Sequence, residues 1–251
     1  MELTVVGAHG TWPSAGGATS GFLVRHDGYT LLLDMGSGTV AKLQEHVGLF
    51  DIDAVLISHS HPDHVVDLYT YLFARLFSPE EPPRIPLFVA PKVVDRMSPL
   101  LADDSGDMKL AQGFDVNPIE AGDRVEAGPF RIQALAMAHS VPTIGVRVEA
   151  SGSALAYSAD TGPTEELMPL AREAGLLIAD ASWQDDGDDA RPPIHMTARE
   201  AAETAAGAGA ETLVLAHLRP HLDRERSRHE ASDAFDGNVE VAVEGLRMDV
   251  G

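Results

Sequence analysis

Ile57-Ser58-His59-Ser60-His61-Pro62-Asp63-His64 is the stretch on which the fold turns. It follows a strand-like Asp53 to Ile57 run and precedes a helix-like Val65 to Phe73 run, so it reads as strand, loop and helix start. Between positions 59 and 64 stand four side chains of ligand type, His59, His61, Asp63 and His64. Held in a turn they can converge on a metal, whereas an uninterrupted strand would send alternate ones to opposite faces. The chain contains no cysteine, which removes disulfides and thiolate metal sites together. Any transition metal must therefore be held by imidazole nitrogen and carboxylate oxygen, a donor set that suits zinc and also accommodates manganese or iron.

The surrounding composition is that of a soluble globular chain. With 251 residues and 44% hydrophobic content, it is long enough to bury a substantial core. Met1-Glu2-Leu3-Thr4-Val5-Val6 runs straight into a strand-like segment without the basic flank and apolar stretch of a signal peptide. No segment is long and apolar enough to span a bilayer, so the expectation is a cytoplasmic protein without a membrane partner. The formal charge of −21 comes from 39 acidic against 18 basic residues, among which Lys42, Lys92 and Lys109 are the lysines. Such a surface disfavours a large nucleic acid, whose affinity comes from cationic contacts to phosphates. A small anionic substrate is less affected, because bound metal ions dominate the field inside a pocket.

Short apolar runs ending in Gly, Asp, Ser or His alternate with helix-like stretches, the pattern of a layered α/β fold. Strands are expected at Leu3 to Val6, Gly21 to Arg25, Thr30 to Asp34 and Ala54 to Ser58. In the second half they are expected at Phe130 to Ala138, Ile144 to Glu149, Ala154 to Ser158, Leu176 to Ala179 and Thr212 to Ala216. Helices are expected near Thr39 to Val47 and from about His64. Loops at Gly7 to Ser20, Ser78 to Pro86, Asp103 to Asp107 and Gln184 to Pro193 are candidate rims of a cleft or solvated connections. Without a heptad run, a solenoid period or a low-complexity tail, residues 1–251 read as one domain.

The H-x-H-x-D-H spacing resembles the metallo-β-lactamase superfamily, and later strand ends continue the pattern. His139 closes the Ile132 to Ala138 run in Ala138-His139-Ser140-Val141-Pro142, Asp160 follows Tyr157-Ser158-Ala159, and His217 ends Leu213-Val214-Leu215-Ala216. The resemblance implies a four-layered αββα fold, two facing mixed sheets flanked by helices, and a site for two divalent metal ions, zinc foremost. His59, His61 and His139 would hold one ion, Asp63, His64 and His217 the other, and Asp160 would bridge them. A metal-bridging hydroxide would be the nucleophile, with Asp63 either a ligand alone or also the group that orients the hydroxide or takes its proton. His61, where the di-iron oxygen-reducing branch has glutamate, points to hydrolysis.

Ile194-His195-Met196-Thr197-Ala198-Arg199-Glu200 narrows the branch. Thr197 and Glu200 form a capping-box pattern that puts His195 just before a helix start. This resembles the histidine motif of ribonuclease Z and related phosphodiesterases, which implies that His195 assists catalysis at the scissile phosphate from outside the metal shell. Ala181-Ser182-Trp183 and Asp67 are similar to small bacterial cyclic-nucleotide phosphodiesterases. Asp67 then either orients a ligand histidine or sits exposed on a helix, and Trp183 either lines the pocket or packs. Asp34, after Leu31-Leu32-Leu33, resembles the early aspartate that supports the site. Only residues 140–159 separate His139 from Asp160, leaving no room for the arm with which bacterial ribonuclease Z grips transfer RNA. A small phosphodiester such as a 3',5'-cyclic nucleotide is therefore the first expectation. The alternatives are a transfer-RNA 3'-end endonuclease and a hydrolase of lactones, thioesters or β-lactams. Relatives of the ribonuclease Z type also imply a homodimer through helices near the first histidine cluster. Val65, Val66, Leu68, Tyr69, Tyr71, Leu72 and Phe73 would suit that contact or equally the core.

Overall fold

The computed structural model describes residues 1–101, 109–186 and 192–251. The Asp103 to Asp107 loop and part of the Gln184 to Pro193 loop, both expected from sequence, lie outside the described residues. Two seven-stranded mixed sheets form the body. The first comprises β1 (Glu2–Gly7), β2 (Gly21–His26), β3 (Tyr29–Leu33), β4 (Ala54–Ile57), β5 (Ile85–Val89), β6 (Phe114–Pro118) and β14 (Arg247–Asp249), in the order β14-β1-β2-β3-β4-β5-β6. The second comprises β7 (Arg124–Ala127), β8 (Phe130–Ala136), β9 (Ile144–Ala150), β10 (Ser153–Tyr157), β11 (Leu176–Asp180), β12 (Thr212–Ala216) and β13 (Asn238–Val241), in the order β13-β12-β11-β10-β9-β8-β7. Each sheet is antiparallel at one end and parallel from β3 to β6 or from β10 to β13. The two mixed sheets flanked by helices that the resemblance implied are present.

Side-chain alternation sorts the second sheet into two faces. Ile132, Val146, Val148, Leu155, Tyr157, Ile178 and Val214 point into the core shared with the first sheet, where Phe22 and Tyr157 pack with ring centroids 5.2 Å apart. Leu135, Ala156, Leu177, Ala179, Leu213 and Leu215 point the other way, onto helices α4 (Leu167–Ala171), α5 (Ala198–Ala208) and α6 (Arg224–Ser232). Helices α1 (Thr39–Leu43), α2 (Pro62–Phe77) and α3 (Val93–Leu101) cover the first sheet. No helix among the described residues is long and apolar enough to cross a membrane.

Local chemistry explains where these elements start and stop. Pro62 occupies the first turn of α2, where its missing N–H is harmless. At α5, Thr197 accepts from the Glu200 amide while the Glu200 carboxylate accepts from the Thr197 amide, the capping box expected from sequence. Helix α1 stops at Leu43 rather than near Val47, because the Glu45 and His46 amides bond the carbonyls three residues back and tighten the chain into turns.

Candidate metal centre

The expected residues meet at one edge of the paired sheets, where parallel strands release their C-termini. His59 leaves β4, His139 follows β8, Asp160 follows β10, and His217 follows β12; His61 caps α2, whose first turn carries Asp63 and His64. Two groups result, His59 with His61, His139 and Asp160, and Asp63 with His64, Asp160 and His217. In each, ligand-type atoms lie within 4.8 Å of one another. Asp160 belongs to both. Its Oδ2 is 3.6 Å from His59 Nε2 and from His139 Nε2, while its Oδ1 is 3.0 Å from His64 Nε2 and 3.3 Å from His217 Nε2.

These contacts are close but not aligned as hydrogen bonds. His59 Nε2 and Asp160 Oδ1 are buried and have no hydrogen-bond partner among the described residues. Each such atom costs about 1–3 kcal/mol if nothing completes its valence. Lone pairs of imidazole and carboxylate converging in this way fit a divalent cation, and the set contains no thiolate.

Burial holds the imidazoles of His59, His61 and His139 below their ordinary range, with neighbouring imidazoles adding to the effect. They are neutral near pH 7 and their lone pairs are available. Burial alone would lower His64 and His217 as well, but Asp160, Asp34 and Asp63 around the first, and Asp160, Asp63 and Asp180 around the second, raise both. The same attraction runs the other way: burial would raise Asp63 and Asp160, and the imidazoles of His64 and His217 instead hold both carboxyls below the usual range.

A second layer of groups fixes these side chains. Asp34 Oδ2 is 2.7 Å from His64 Nδ1 and accepts from the Ser58 hydroxyl at 2.7 Å and the Tyr157 hydroxyl at 2.6 Å, and its Oδ1 accepts from the Ser58 amide at 2.7 Å. It thus bonds a ligand-type histidine, a strand-end serine and a tyrosine at once. Ser58 Oγ also lies 3.0 Å from His59 Nδ1, and the Ile194 carbonyl is 2.8 Å from His139 Nδ1. Ser182 Oγ is 2.7 Å from His217 Nδ1, and Asp63 Oδ2 accepts from the Thr11 amide at 2.8 Å and lies 3.0 Å from His217 Nε2. Asp34, Ala159, His217 and Thr11 all adopt left-handed backbone, with φ of 59°, 51°, 59° and 66°. For residues with a Cβ this conformation is strained, and four such residues adjoin the cluster, while others such as Asp27, Glu81 and Ser151 lie elsewhere. The glycine-rich Gly7 to Ser20 loop approaches closely: a Cβ on Gly10 would lie 2.2 Å from the His217 carbonyl oxygen.

His195 stands beside the cluster, its ring stacked on that of His217 at 5.4 Å and 19° and lying 5.1 Å from that of His139. Asp180 Oδ2 is 2.7 Å from its Nδ1, which leaves Nε2 as the nitrogen facing other partners. Asp180 was not singled out in the sequence, yet its cue was present: it closes the buried run Leu176-Leu177-Ile178-Ala179, as Asp34 and Asp160 close theirs. Asp160, Asp180, His195 and His217 form a third convergent group. Asp67 departs from both readings given to it. Its carboxylate accepts from the Val40 amide at 2.9 Å at the start of α1, and it is half-buried, because α1 packs against α2 with its amides turned toward that carboxylate. Trp183 lies 6.3 Å from His195, ring to ring, and carries Arg219 on its face.

Residues 29–218, which include every residue of these groups, match the Beta-lactamase superfamily domain. The chain is 31% identical to the probable metallo-hydrolase YhfI of Bacillus subtilis over 98% of each protein. The crystal structure of YhfI superposes with a TM-score of 0.88 at 29% identity, covering 100% of this chain and 98% of that one. Ribonuclease Z of Haloarcula marismortui is 28% identical over 100% of this chain and 97% of that protein. The short form of human tRNase Z shares the fold at a TM-score of 0.79 and 22% identity, covering 100% of both chains. The strand-end clusters, the paired sheets and these relatives lead to one assignment: the chain belongs to the beta-lactamase superfamily, on its metallo-hydrolase and ribonuclease Z-like branch.

Proposed function

We propose that the protein is a dinuclear metallophosphodiesterase acting on a small phosphodiester such as a 3',5'-cyclic nucleotide. The observation that carries this reading is His195, tied by Asp180 and stacked against the two clusters that share Asp160. His59, His61 and His139 would hold one divalent ion, Asp63, His64 and His217 the other, with Asp160 between them; zinc is the first candidate, with manganese or iron admitted by the same donors. Ions there supply charge neutralisation at phosphorus and a water acidified toward neutrality.

The chain's own groups then divide the proton work. Asp63, kept ionised, accepts the proton of the attacking water or orients it. His195, with Nδ1 engaged by Asp180, presents Nε2 to the phosphate; protonated, it stabilises the developing charge and gives its proton to the departing sugar oxygen as the P–O bond breaks. The decisive assay is hydrolysis of 3',5'-cyclic AMP by the zinc- or manganese-loaded protein, with a chelated sample and His195→Ala as controls. Turnover that falls about 10²- to 10⁴-fold in His195→Ala without loss of metal is expected; unchanged turnover removes His195 from the mechanism. Asp63→Ala should lose activity and second-site metal together.

A second reading, cleavage at RNA ends, draws on the ribonuclease Z relatives. It is favoured if precursor transfer RNA is cut and the cyclic nucleotide is not. The proposal includes a homodimer through α2. Val65, Leu68, Tyr71 and Leu72 serve the core, but Val66, Tyr69 and Phe73 are only partly covered, and Phe77 beyond them is 69% exposed. A sedimentation mass of one chain at micromolar concentration would count against the dimer.

A further inference from the structure

The partly buried basic side chains near described partners donate to a carboxylate or a backbone carbonyl, as Arg75 does to Gly113 and Arg147 to Glu149. Arg219 is different. In a chain with 39 acidic residues, it has no hydrogen bond or ion pair among the described residues, and its Nε is buried without a partner. It is nevertheless held in place, with Cζ 3.9 Å over the ring of Trp183, whose own Nε1 is also buried and unpartnered. Trp183 stands edge to face with His195 at 6.3 Å and 72°. Two orphaned N–H donors, one of them on a cation, thus belong to a stacked pair whose ring meets the histidine assigned to the phosphate.

The loop that carries Arg219 carries a second feature. His221 stacks on Trp12 with centroids 5.7 Å apart and planes 10° from parallel, and Trp12 is 46% exposed. Trp12 follows Thr11, whose amide donates to Asp63 Oδ2, so this open aromatic pair is tied through its neighbour to the metal cluster. A guanidinium fork suits phosphoryl oxygens, and an exposed ring pair suits a planar base.

We infer that Arg219, laid on Trp183, receives a phosphate oxygen of the substrate and that the Trp12–His221 pair stacks its base, so that the site selects a nucleotide over a simple alkyl phosphodiester. This rests on the phosphodiester reading above. The test is calorimetric titration of the zinc-loaded protein with 5'-AMP and, separately, with inorganic phosphate. In Arg219→Gln the dissociation constants for both should rise roughly tenfold or more, since a charge-assisted bond is removed. Arg219→Lys should recover part of that loss. Trp12→Ala should weaken 5'-AMP by about tenfold, the worth of one base stack, and leave inorganic phosphate unchanged.

Equal affinity for 5'-AMP in wild type and Arg219→Gln, or no binding of 5'-AMP to the wild type at millimolar concentration, overturns the inference. Equal weakening of both ligands in Trp12→Ala overturns the base stack. Should Arg219→Gln not fold, Arg219→Lys carries the test, and an unchanged dissociation constant there overturns the role of Arg219. Arg219-dependent binding of 5'-AMP without hydrolysis of cyclic AMP sinks the proposed reaction but supports this inference. Hydrolysis with an unchanged KM in Arg219→Gln does the reverse.

Discussion

Asp34 never reaches the metal cluster, yet its carboxylate gathers His64, Ser58 and Tyr157. Asn in its place offers one acceptor oxygen where two served, so His64 loses orientation. Asp34→Asn is expected to weaken metal binding about 10- to 100-fold, read by competition with a chromophoric chelator; wild-type affinity would show that His64 needs no such support. Glu244 gives a pH-dependent case. Burial would raise its carboxyl, but hydrogen bonding with His9 and with the Ala18 amide, among other backbone contacts, takes it from 4.5 down to about 2. A depressed carboxyl stabilises the fold above the unfolded value, and that stabilisation fades as pH falls from about 4.5 toward 2. Glu244→Gln should therefore lower stability at pH 7 by about 1–2 kcal/mol, the full shift being discounted for partial solvent screening. The gap in melting temperature should narrow as pH falls below about 4.5 and close near pH 2. Legibility at this level followed one rule: a histidine or aspartate ending a buried apolar run was readable, as at His139, Asp160 and His217. Asp180 obeyed the same rule and was passed over. Arg219, which owes its interest to the absence of a partner among the described residues, has no such cue.

Helix α5 begins at the capping box beside His195, and its cap can be tested apart from the chemistry. Thr197→Ala removes the acceptor for the Glu200 amide and should cost about 1 kcal/mol in chemical denaturation. Metal content should be unchanged; a loss of metal would mean that the cap also sets the site. The elements that sequence revealed are β1 to β4 and β8 to β12, strands with apolar runs as in β3, β4 and β11 or with clear alternation as in β8 and β9. Strands β6, β7, β13 and β14 lack such a signal: β6 carries Asp115, Asn117 and Pro118, and β7, β13 and β14 are three or four residues long with charged side chains among them. Strand β5 starts at Ile85, inside the proline-rich stretch read as a loop, because Pro86 still accepts strand geometry and the turn chemistry ended sooner than expected.

Both sheets contribute to the metal cluster, His59, His61, Asp63 and His64 from the first and His139, Asp160 and His217 from the second. Ions bound there would tie the sheets together, so chelation should lower the thermal midpoint. At free metal about a thousandfold above its dissociation constant, the stabilisation lost is about 4 kcal/mol, or several degrees for a chain of this size. A chelator-independent melting curve would argue that the site is filled only weakly. The paired-sheet architecture was legible because the motif spacing identified it, while the sheet order was not, since it depends on pairings between residues far apart in the chain. One of these pairings is the return of β14 to β1, where Thr4 meets Arg247. During synthesis on the ribosome, β1 emerges well before β14 and waits while the intervening residues 8–246 are made before that side is covered. Throughout that interval the nascent protein carries an open strand edge, the kind of surface that seeds sticking between neighbouring chains. Slowing translation just ahead of β14 should lengthen the wait and lower the soluble yield, while the finished molecule stays as stable as before.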